Sequence, residues 1–356
     1  MRQTPPTAST RFHGYAERAL GGEHLDRAAS LDVLGSGDEE LPDLLAAAHR
    51  VRRARWGNRV QLHMLMNAKS GACQEDCGYC SQSRVSSAAI DVYPLVDEAA
   101  MIEGARRAQA AKAARFCLVI ATRGPSWPDV HRLSSAVARI RAEVGIPVCV
   151  SAGLLDEPKA LALAEAGVSR LNHNLNTSER FYPEITSTHS YEDRMATLAA
   201  ARAAGIALCS GVLFGMGETH DDVVDVIEEL RALHVESLPV NFLHPIEGTP
   251  LAGLDELRPT DCLRILCLAR LLHPRAEIRV AGGRELHLRA LQPLALYPAN
   301  SIFVEGYLTT PGQSAAAAWR MIEDIGFEID EHLDEPEPAL EGQAAGDPAR
   351  AGAVAD

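Results

Sequence analysis

From about residue 60 onward, the chain alternates eight short strand-like runs with amphipathic helical runs, and this alternation limits the fold more than any other feature. The strand-like runs are 61–66, 115–120, 146–151, 169–173, 206–213, 236–242, 277–281 and 301–304, and the helical runs include 97–112, 158–166, 190–203, 221–233 and 261–272. Eight strands that alternate with helices favour a closed parallel barrel. The alternative is a doubly wound open sheet, but its glycine fingerprint is missing because His220 stands where a third glycine would follow Gly215 and Gly217. The sequence therefore predicts an α/β fold of the (β/α)8 TIM-barrel type.

Composition divides the chain into three parts. Residues 1–40 contain turn formers and charges and predict an irregular or partly helical N-terminal extension, and residues 41–325 hold the predicted barrel. Residues 326–356 are rich in Ala, Gly, Pro and Glu and predict a disordered acidic tail. The tail has nine acidic residues and one Arg, so it contributes −8 of the net charge of −14.

Charge and hydropathy exclude several classes of protein. The net charge of −14 gives no support for nucleic-acid binding. No run approaches eighteen apolar residues and the N-terminus has no apolar signal segment, so we expect neither membrane insertion nor secretion. Eight cysteines in a long chain without such a segment argue against a disulfide framework. We therefore expect a cytoplasmic protein in a reducing compartment, with Cys262 and Cys267 of one helical run used only for packing.

Three cysteines lie close together in a loop after the first predicted strand. Cys73, Cys77 and Cys80 have the spacing C-x3-C-x2-C, and no further Cys or His follows within thirty residues. A structural zinc site needs four ligands, and a cubic iron–sulfur cluster also has four metal corners. Three thiolates would leave one iron open to an exogenous ligand. A zinc site completed by a distant residue is the alternative.

Four residues on four strands are predicted to face the barrel interior. Cys117, Cys149, Cys209 and Arg279 have apolar neighbours that the two-residue period of a strand sends to the helix-facing side. A charge inside a barrel is costly unless it is paired or bound to something. The four side chains could therefore converge on a second cluster. The alternatives are cysteines that only pack and an Arg279 at a solvated strand end, paired with Glu277.

The cysteine spacing, with Tyr79 before the last cysteine, resembles the signature of radical S-adenosylmethionine (AdoMet) enzymes. Over roughly 55–325 the chain resembles one group of them, the biotin synthase family, and the similar segments are 69–83, 172–176, 211–218, 248–250, 278–284 and 300–303. The resemblance implies a [4Fe–4S] cluster with AdoMet on its open iron and an auxiliary [2Fe–2S] cluster. The ligands implied are Cys73, Cys77 and Cys80 for the first cluster, and Cys117, Cys149, Cys209 and Arg279 for the second.

The resemblance also implies an activity and partners. The family inserts sulfur from the auxiliary cluster between C6 and C9 of dethiobiotin, which forms biotin in the last step of its biosynthesis. Two AdoMet molecules are cleaved reductively for each product. An electron donor such as flavodoxin or ferredoxin and a homodimer are expected. The alternatives are a relative of the hydrogenase-maturation or methylornithine-forming type, which lacks the full set of three lumen cysteines and an arginine, and a non-catalytic metal or iron–sulfur protein.

Five further residues receive ligand-binding roles from the resemblance. Tyr79, Asn176 and Glu218 are expected to contact AdoMet, with Asn176 standing where many family members have an Asp. Asn174 and Asn241 are expected to bind the ureido ring of dethiobiotin, because an Asn amide offers both donors and an acceptor. The simpler interpretations are loop packing for Tyr79, turn or cap roles for the Asn residues, and a helix first-turn acid for Glu218.

Overall fold

The computed structural model describes residues 7–331, which form a closed barrel of parallel strands with helices around it. The strands are β1 (Arg59–Lys69), β2 (Ala113–Ile120), β3 (Val148–Ser151), β4 (Arg170–Asn172), β5 (Ala207–Cys209), β6 (Val212–Phe214), β7 (Ser237–Phe242), β8 (Glu277–Val280), β9 (Ser301–Phe303) and β10 (Glu328–Ile329). The helices are α1 (Ala8–Leu20), α2 (Arg27–Leu34), α3 (Leu41–Trp56), α4 (Glu98–Ala110), α5 (Trp127–Glu143), α6 (Glu157–Glu165), α7 (Tyr182–Ile185), α8 (Tyr191–Ala203), α9 (His220–Ala232), α10 (Pro259–Leu272), α11 (Arg284–Leu288) and α12 (Ala315–Asp324). Two 3₁₀ segments cover Asp38–Glu40 and Arg289–Leu296.

The barrel closes because β1 pairs with β2 on one side and with β9 on the other, and every pairing is parallel. The order around the ring is β1, β2, β3, β4, β5, β7, β8, β9, with β6 hydrogen-bonded to β7. The predicted (β/α)8 barrel is confirmed.

The fifth predicted strand, 206–213, is divided into β5 and β6 by Ser210 and Gly211. A Cβ on Gly211 would lie 1.9 Å from the carbonyl oxygen of Pro239 in β7, so only glycine lets the two chains approach this closely. The break leaves polar groups of Gly211 free for other partners: its N–H donates to the side chain of Asn174, and its carbonyl accepts from the N–H of Asn176.

The N-terminal extension is helical, and α3 packs against both α1 and α10. Arg52 of α3 is fully buried where the barrel strands begin. Its guanidinium donates to the carbonyl oxygens of Ala299 (3.2 Å), Arg59 (2.6 Å) and Gly57. Five N–H donors can satisfy several carbonyls at once, so Arg52 joins the start of β1 to the segment before β9.

The last strand, β10, pairs with the start of β1 and lies just beyond the predicted boundary at residue 325. Residues 332–356, most of the predicted tail, lie outside the described residues. Within residues 7–331, no helix has the length and apolar character that crossing a membrane requires.

Candidate active site

The cysteine loop follows β1 and lines a cavity of about 290 Å³ at the carboxyl ends of the barrel strands. The three thiols of Cys73, Cys77 and Cys80 all belong to the lining. Gln82 closes the loop on itself: its backbone carbonyl accepts from the N–H of Cys73 (3.2 Å), and its side-chain oxygen accepts from the N–H of Gly71 (3.0 Å). These two hydrogen bonds thus close the loop that carries the three thiols.

Asp76 ties the same loop to the segment that precedes α8. Its carboxylate accepts hydrogen bonds from the Thr186 hydroxyl (2.8 Å) and from the backbone N–H groups of Ser187 (2.9 Å) and Thr188 (3.2 Å). Burial alone would raise the pKa of Asp76, but these hydrogen bonds hold it well below its usual range. The loop therefore has a charged anchor between two of its cysteines.

The electrostatics of the loop suit bound iron. Burial raises the pKa of Cys73 and Cys77, and it raises that of Cys80 to about 12, although the N–H groups of Gln82 and Ser83 face the Cys80 sulfur. A metal cation would stabilise these buried groups as thiolates. Within residues 7–331, no three side chains of the metal-binding types converge on a single ion. Thiolates that each bind a different iron need not converge on one point, so the donor set fits a [4Fe–4S] cluster.

The second set of thiols lies deeper in the barrel. Cys117 of β2 and Cys149 of β3 are register partners, and the Cys149 thiol is within hydrogen-bond reach of both Cys117 and Cys209. Arg279 of β8 places its Nη1 3.6 Å from the Cys209 sulfur. Hydrogen bonding between neighbouring thiols, followed by burial, raises the pKa of Cys209 far above its usual value. The structure thus brings together all four residues predicted to face the interior, and three thiols with one guanidinium fit a [2Fe–2S] cluster.

Arg279 is 3% exposed, so the alternative of a solvated strand end does not hold. Its pairing with Glu277 is present but buried: Nε donates to a Glu277 oxygen at 3.0 Å. Glu277, which is fully buried, also lies 2.9 Å from His63 Nε2 and pairs with Arg170. Burial opposes ionisation of Glu277, but the charge of Arg279 and its other neighbours hold its pKa well below the usual value. Glu277, Arg279 and Arg170 thus form an ion cluster beside Cys209, and His63, whose pKa burial lowers to about 3, joins it as a neutral side chain.

The two asparagines expected to bind dethiobiotin both line the cavity. The side-chain oxygen of Asn174 accepts from Asn172 Nδ2 (3.2 Å) and from the Gly211 N–H (3.1 Å), while its Nδ2 has no partner among the described residues. Asn241 donates from Nδ2 to the Val212 carbonyl (2.9 Å) and accepts at Oδ1 from the Gly282 N–H (2.9 Å). An amide can make four hydrogen bonds, so both residues retain capacity for a ligand.

Tyr79 and Asn176 are held together in the cavity wall. Asn176 Nδ2 donates to the Tyr79 hydroxyl at 2.7 Å, which leaves Asn176 Oδ1 as an acceptor. Asn176 has φ = +71°, a left-handed conformation that Asn and Asp tolerate better than other residues with a Cβ. The departure from Asp at this position therefore keeps the backbone geometry and exchanges a charged acceptor for a neutral amide.

Two predicted site residues lie outside the cavity lining. Cys209 contacts the Cys149 thiol and Arg279, which both belong to the lining, whereas Glu218 contacts the turn after β6. Its carboxylate accepts hydrogen bonds from the N–H groups of Gly215 (2.6 Å) and Met216 (2.8 Å). Burial raises the pKa of Glu218. The side chain closes the tight turn between β6 and α9.

The cavity lining also includes polar residues without a predicted ligand role, among them Arg194, His189, His173 and Tyr307. Arg194 lies in α8, and its charge partly opposes the burial that raises the pKa of the Cys77 thiol. His173 is buried, and its Nε2 has no hydrogen-bond partner within residues 7–331. His173 ends the predicted strand 169–173, and its place on a barrel strand is a signal in the sequence for a cavity position. No sequence pattern distinguishes Arg194 from a surface arginine.

Solved structures with a similar fold include a methylornithine synthase, with a TM-score of 0.78 and 22% identity over 89% of this chain and 97% of that one. The [FeFe]-hydrogenase maturase HydG from Carboxydothermus hydrogenoformans has a TM-score of 0.76 and 18% identity, covering 90% of this chain and 79% of that one. At these identities the likeness shows the fold alone.

Sequence comparison shows the family. The Radical SAM superfamily model matches residues 68–230, and the model of the Biotin and Thiamin Synthesis associated domain matches residues 239–328. The biotin synthase of Geobacillus kaustophilus is 50% identical over 88% of this chain and 95% of its own length. That of Acaryochloris marina is 50% identical over 87% and 90%, and that of Halalkalibacterium halodurans is 46% identical over 92% and 98%. With its cysteine loop and lumen thiols on one cavity, the chain belongs to the biotin synthase family of radical SAM enzymes.

Proposed function

We propose that this chain converts dethiobiotin to biotin by inserting sulfur between C6 and C9, and that the two groups of cysteines hold the two clusters. One observation carries the proposal: the loop thiols Cys73, Cys77 and Cys80 and the deeper set with Cys149 and Arg279 face the same cavity. A substrate in that cavity would lie between an AdoMet site and a sulfur source.

The chemistry itself comes from the cofactors: when bound, the [4Fe–4S] cluster supplies the electron for reductive cleavage of AdoMet, and the [2Fe–2S] cluster supplies the sulfur. The protein holds and shields them. Cys73, Cys77 and Cys80 would bind the first cluster, and Cys117, Cys149, Cys209 and Arg279 would bind the second.

Arg194 is the cation best placed for the AdoMet carboxylate. It lines the cavity and acts electrostatically on Cys77 and Tyr79, and three of its five N–H groups have protein partners. Two donors remain, and a guanidinium binds a carboxylate through paired N–H groups. Asn176 Oδ1 can accept from a ribose hydroxyl, with Tyr79 holding the amide in place. Glu218 would affect AdoMet binding only indirectly, by holding the turn before α9.

The free capacity of the two asparagines complements the ureido ring of dethiobiotin, which has two N–H donors and one carbonyl. Asn174 Nδ2 can donate to the carbonyl, because its oxygen is already occupied. Asn241 can accept from a ring N–H with the remaining lone pair of its oxygen.

The C-terminal part of the barrel covers the cavity. Thr309 and Ser81 share a hydrogen bond of 2.8 Å, so the segment after β9 is joined to the cysteine loop. The half-buried Tyr307 also lines the cavity. Desolvation raises its pKa, and Cys117, Cys209 and Cys80 add to that effect, so its hydroxyl lies near both groups of thiols. A covered site protects reactive species from side reactions.

The remaining expectations are supported by family membership. We propose that the protein acts in the cytoplasm as a homodimer and receives electrons from a flavodoxin or ferredoxin. The barrel of residues 41–325 would carry all the cluster ligands, because all seven lie within it.

Isotopic labelling tests the proposal. The protein is reconstituted anaerobically with iron and ³⁴S-sulfide and incubated with dethiobiotin, AdoMet and a reductant. We expect biotin two mass units heavier than normal, and a Cys149→Ala variant that still cleaves AdoMet but forms no biotin. Unlabelled biotin, or labelled biotin from the variant, would show that the lumen thiols do not hold the sulfur source.

A further inference from the structure

Arg194 is held in the cavity wall by three contacts. Its Nε donates to the Tyr182 hydroxyl, its Nη1 donates to the Asn174 carbonyl at 2.8 Å, and its Nη2 donates to His189 Nε2 at 2.9 Å. Arginine has many rotamers, so a ligand that binds an unrestrained guanidinium loses affinity in ordering it. Of the three partners, His189 is the one that is itself bound to the cysteine loop.

His189 must be a neutral acceptor toward Arg194. A guanidinium has only donors, so His189 Nε2 carries no proton and the ring proton is on Nδ1. Nδ1 lies 3.0 Å from Glu75 Oε2, to which it donates. Burial, with the charge of Arg194, holds the pKa of His189 below its usual value. The ring also stands edge-on to Tyr182, at 5.8 Å between centroids and 88°. Its tautomer and its orientation are both determined by its neighbours.

Glu75 makes the connection to the cluster loop rigid. It lies between Cys73 and Cys77, and it is buried. One oxygen accepts from Arg123 Nη1 at 2.9 Å, and the other accepts from the Thr188 hydroxyl as well as from His189. A continuous chain of hydrogen bonds therefore runs from the cluster loop through Glu75 and His189 to Arg194.

We propose that neutral His189 is a positioning residue for AdoMet: it fixes the Arg194 guanidinium relative to the cluster loop by accepting from Arg194 and donating to Glu75. The inference rests on the proposed function, in which Arg194 binds the AdoMet carboxylate. One AdoMet molecule would have to contact both Arg194 and the open iron held by the cysteine loop. A fixed distance between Arg194 and this loop therefore lowers the entropic cost of binding AdoMet.

Two amide substitutions separate the two hydrogen bonds of the ring. The amide of His189→Gln can reach the position of Nε2 and accept from Arg194, whereas that of His189→Asn can replace only Nδ1. AdoMet dissociation constants are measured by anaerobic equilibrium dialysis on reconstituted protein with iron and sulfide quantified. We expect His189→Ala and His189→Asn to weaken AdoMet binding about tenfold, or ~1.4 kcal/mol. His189→Gln should stay within about threefold of wild type, and at saturating AdoMet all three should keep kcat, so that the change appears in KM.

A double-mutant cycle identifies the route of the effect. In an Arg194→Ala background, His189→Ala should change the dissociation constant less than about twofold, because its partner is gone. If Arg194→Ala binds AdoMet normally, the proposed carboxylate contact fails and the role of His189 fails with it. If Arg194→Ala binds weakly but His189→Ala binds normally, only the role of His189 is overturned.

His273→Ala is the matched control, since His273 is an equally buried histidine that bonds the Ile227 carbonyl away from the cavity. It should leave the AdoMet dissociation constant unchanged. An equal weakening in His273→Ala would mean a general loss of packing and would overturn the proposal. If His189→Ala does not fold, the comparison of the Gln and Asn variants decides: equal affinities would overturn the proposal.

Discussion

Replacing Glu277 by Gln should destabilise the protein far more than its small change in shape suggests. The fully buried carboxylate faces Arg279 Nε at 3.0 Å and His63 Nε2 at 2.9 Å, and it also pairs with Arg170. Gln keeps the volume and part of the hydrogen bonding but removes the charge. The guanidinium of Arg279 then stays buried without its counter-ion.

The magnitude follows from the burial. Removing one partner of a buried ion pair costs about 3–5 kcal/mol, because the remaining charge is left uncompensated. The side chains of this cluster come from β1, β4 and β8. Water could therefore reach the unpaired guanidinium only if these strands separated. We therefore expect Glu277→Gln to lower the free energy of unfolding by ~3–5 kcal/mol.

Urea denaturation of the cluster-free protein, followed by circular dichroism, measures this change. The midpoint should fall while the slope stays the same. Glu17→Gln is the matched control, because Glu17 pairs with Arg50 at 2.7 Å but both side chains are about half exposed. Exposed pairs contribute little, so its midpoint should not move. A loss below about 1 kcal/mol in Glu277→Gln would refute the reasoning, since it would mean that the cluster is hydrated or otherwise compensated.

Three further predictions concern glycine, histidine and asparagine positions. Gly211→Ala should lower the free energy of unfolding by about 1–3 kcal/mol in the same denaturation assay, because its Cβ meets a backbone carbonyl. Gly14→Ala, in an open helical position, should not lower it. Equal urea midpoints for the two variants would contradict the close approach of Gly211 to β7. Burial lowers the pKa of His273 to about 4, so its neutral form stabilises the fold above pH 6.5 and this contribution is lost as the pH falls toward 4. Between pH 7 and pH 5 the wild type should lose about 2 kcal/mol more than His273→Gln, and parallel pH profiles would contradict the shift. The AdoMet dissociation constant of Asn176→Asp should stay within about threefold of wild type, and that of Asn176→Ala should rise about tenfold. Only Ala loses both the acceptor and the contact with Tyr79. Equal affinities of the two variants in equilibrium dialysis would exclude the contact between Asn176 and AdoMet.

Local patterns in the sequence predicted much of the fold and part of the site. The period of two in β2 and β3 indicated the inward direction of Cys117 and Cys149, and the structure places both in the cavity lining. The spacing of the cysteine loop is local in the chain, so it was visible without any tertiary contact. The roles of the loop cysteines and of Cys117 and Cys149 as cluster ligands stay predictions.

Long-range contacts were not predictable in the same way. The partners of Glu277 include His63 and Arg170, which come from strands far away in the chain. The connection of Arg194 to the cysteine loop depends on the contact between His189 and Glu75, which are 114 residues apart in the chain. The division of the fifth strand depends on the close approach of β7, which the sequence around Gly211 does not reveal.

Mössbauer spectroscopy of anaerobically reconstituted protein tests most directly whether the cavity holds two different clusters. Wild type is compared with a Cys117→Ala/Cys149→Ala double variant, with iron and sulfide quantified and biotin formation assayed in both. We predict [4Fe–4S] and [2Fe–2S] signals in the wild type, and a variant that keeps the [4Fe–4S] signal but loses the [2Fe–2S] signal together with biotin formation. A single [4Fe–4S] signal in both proteins would mean that the lumen cysteines only pack, and would contradict the two-cluster site.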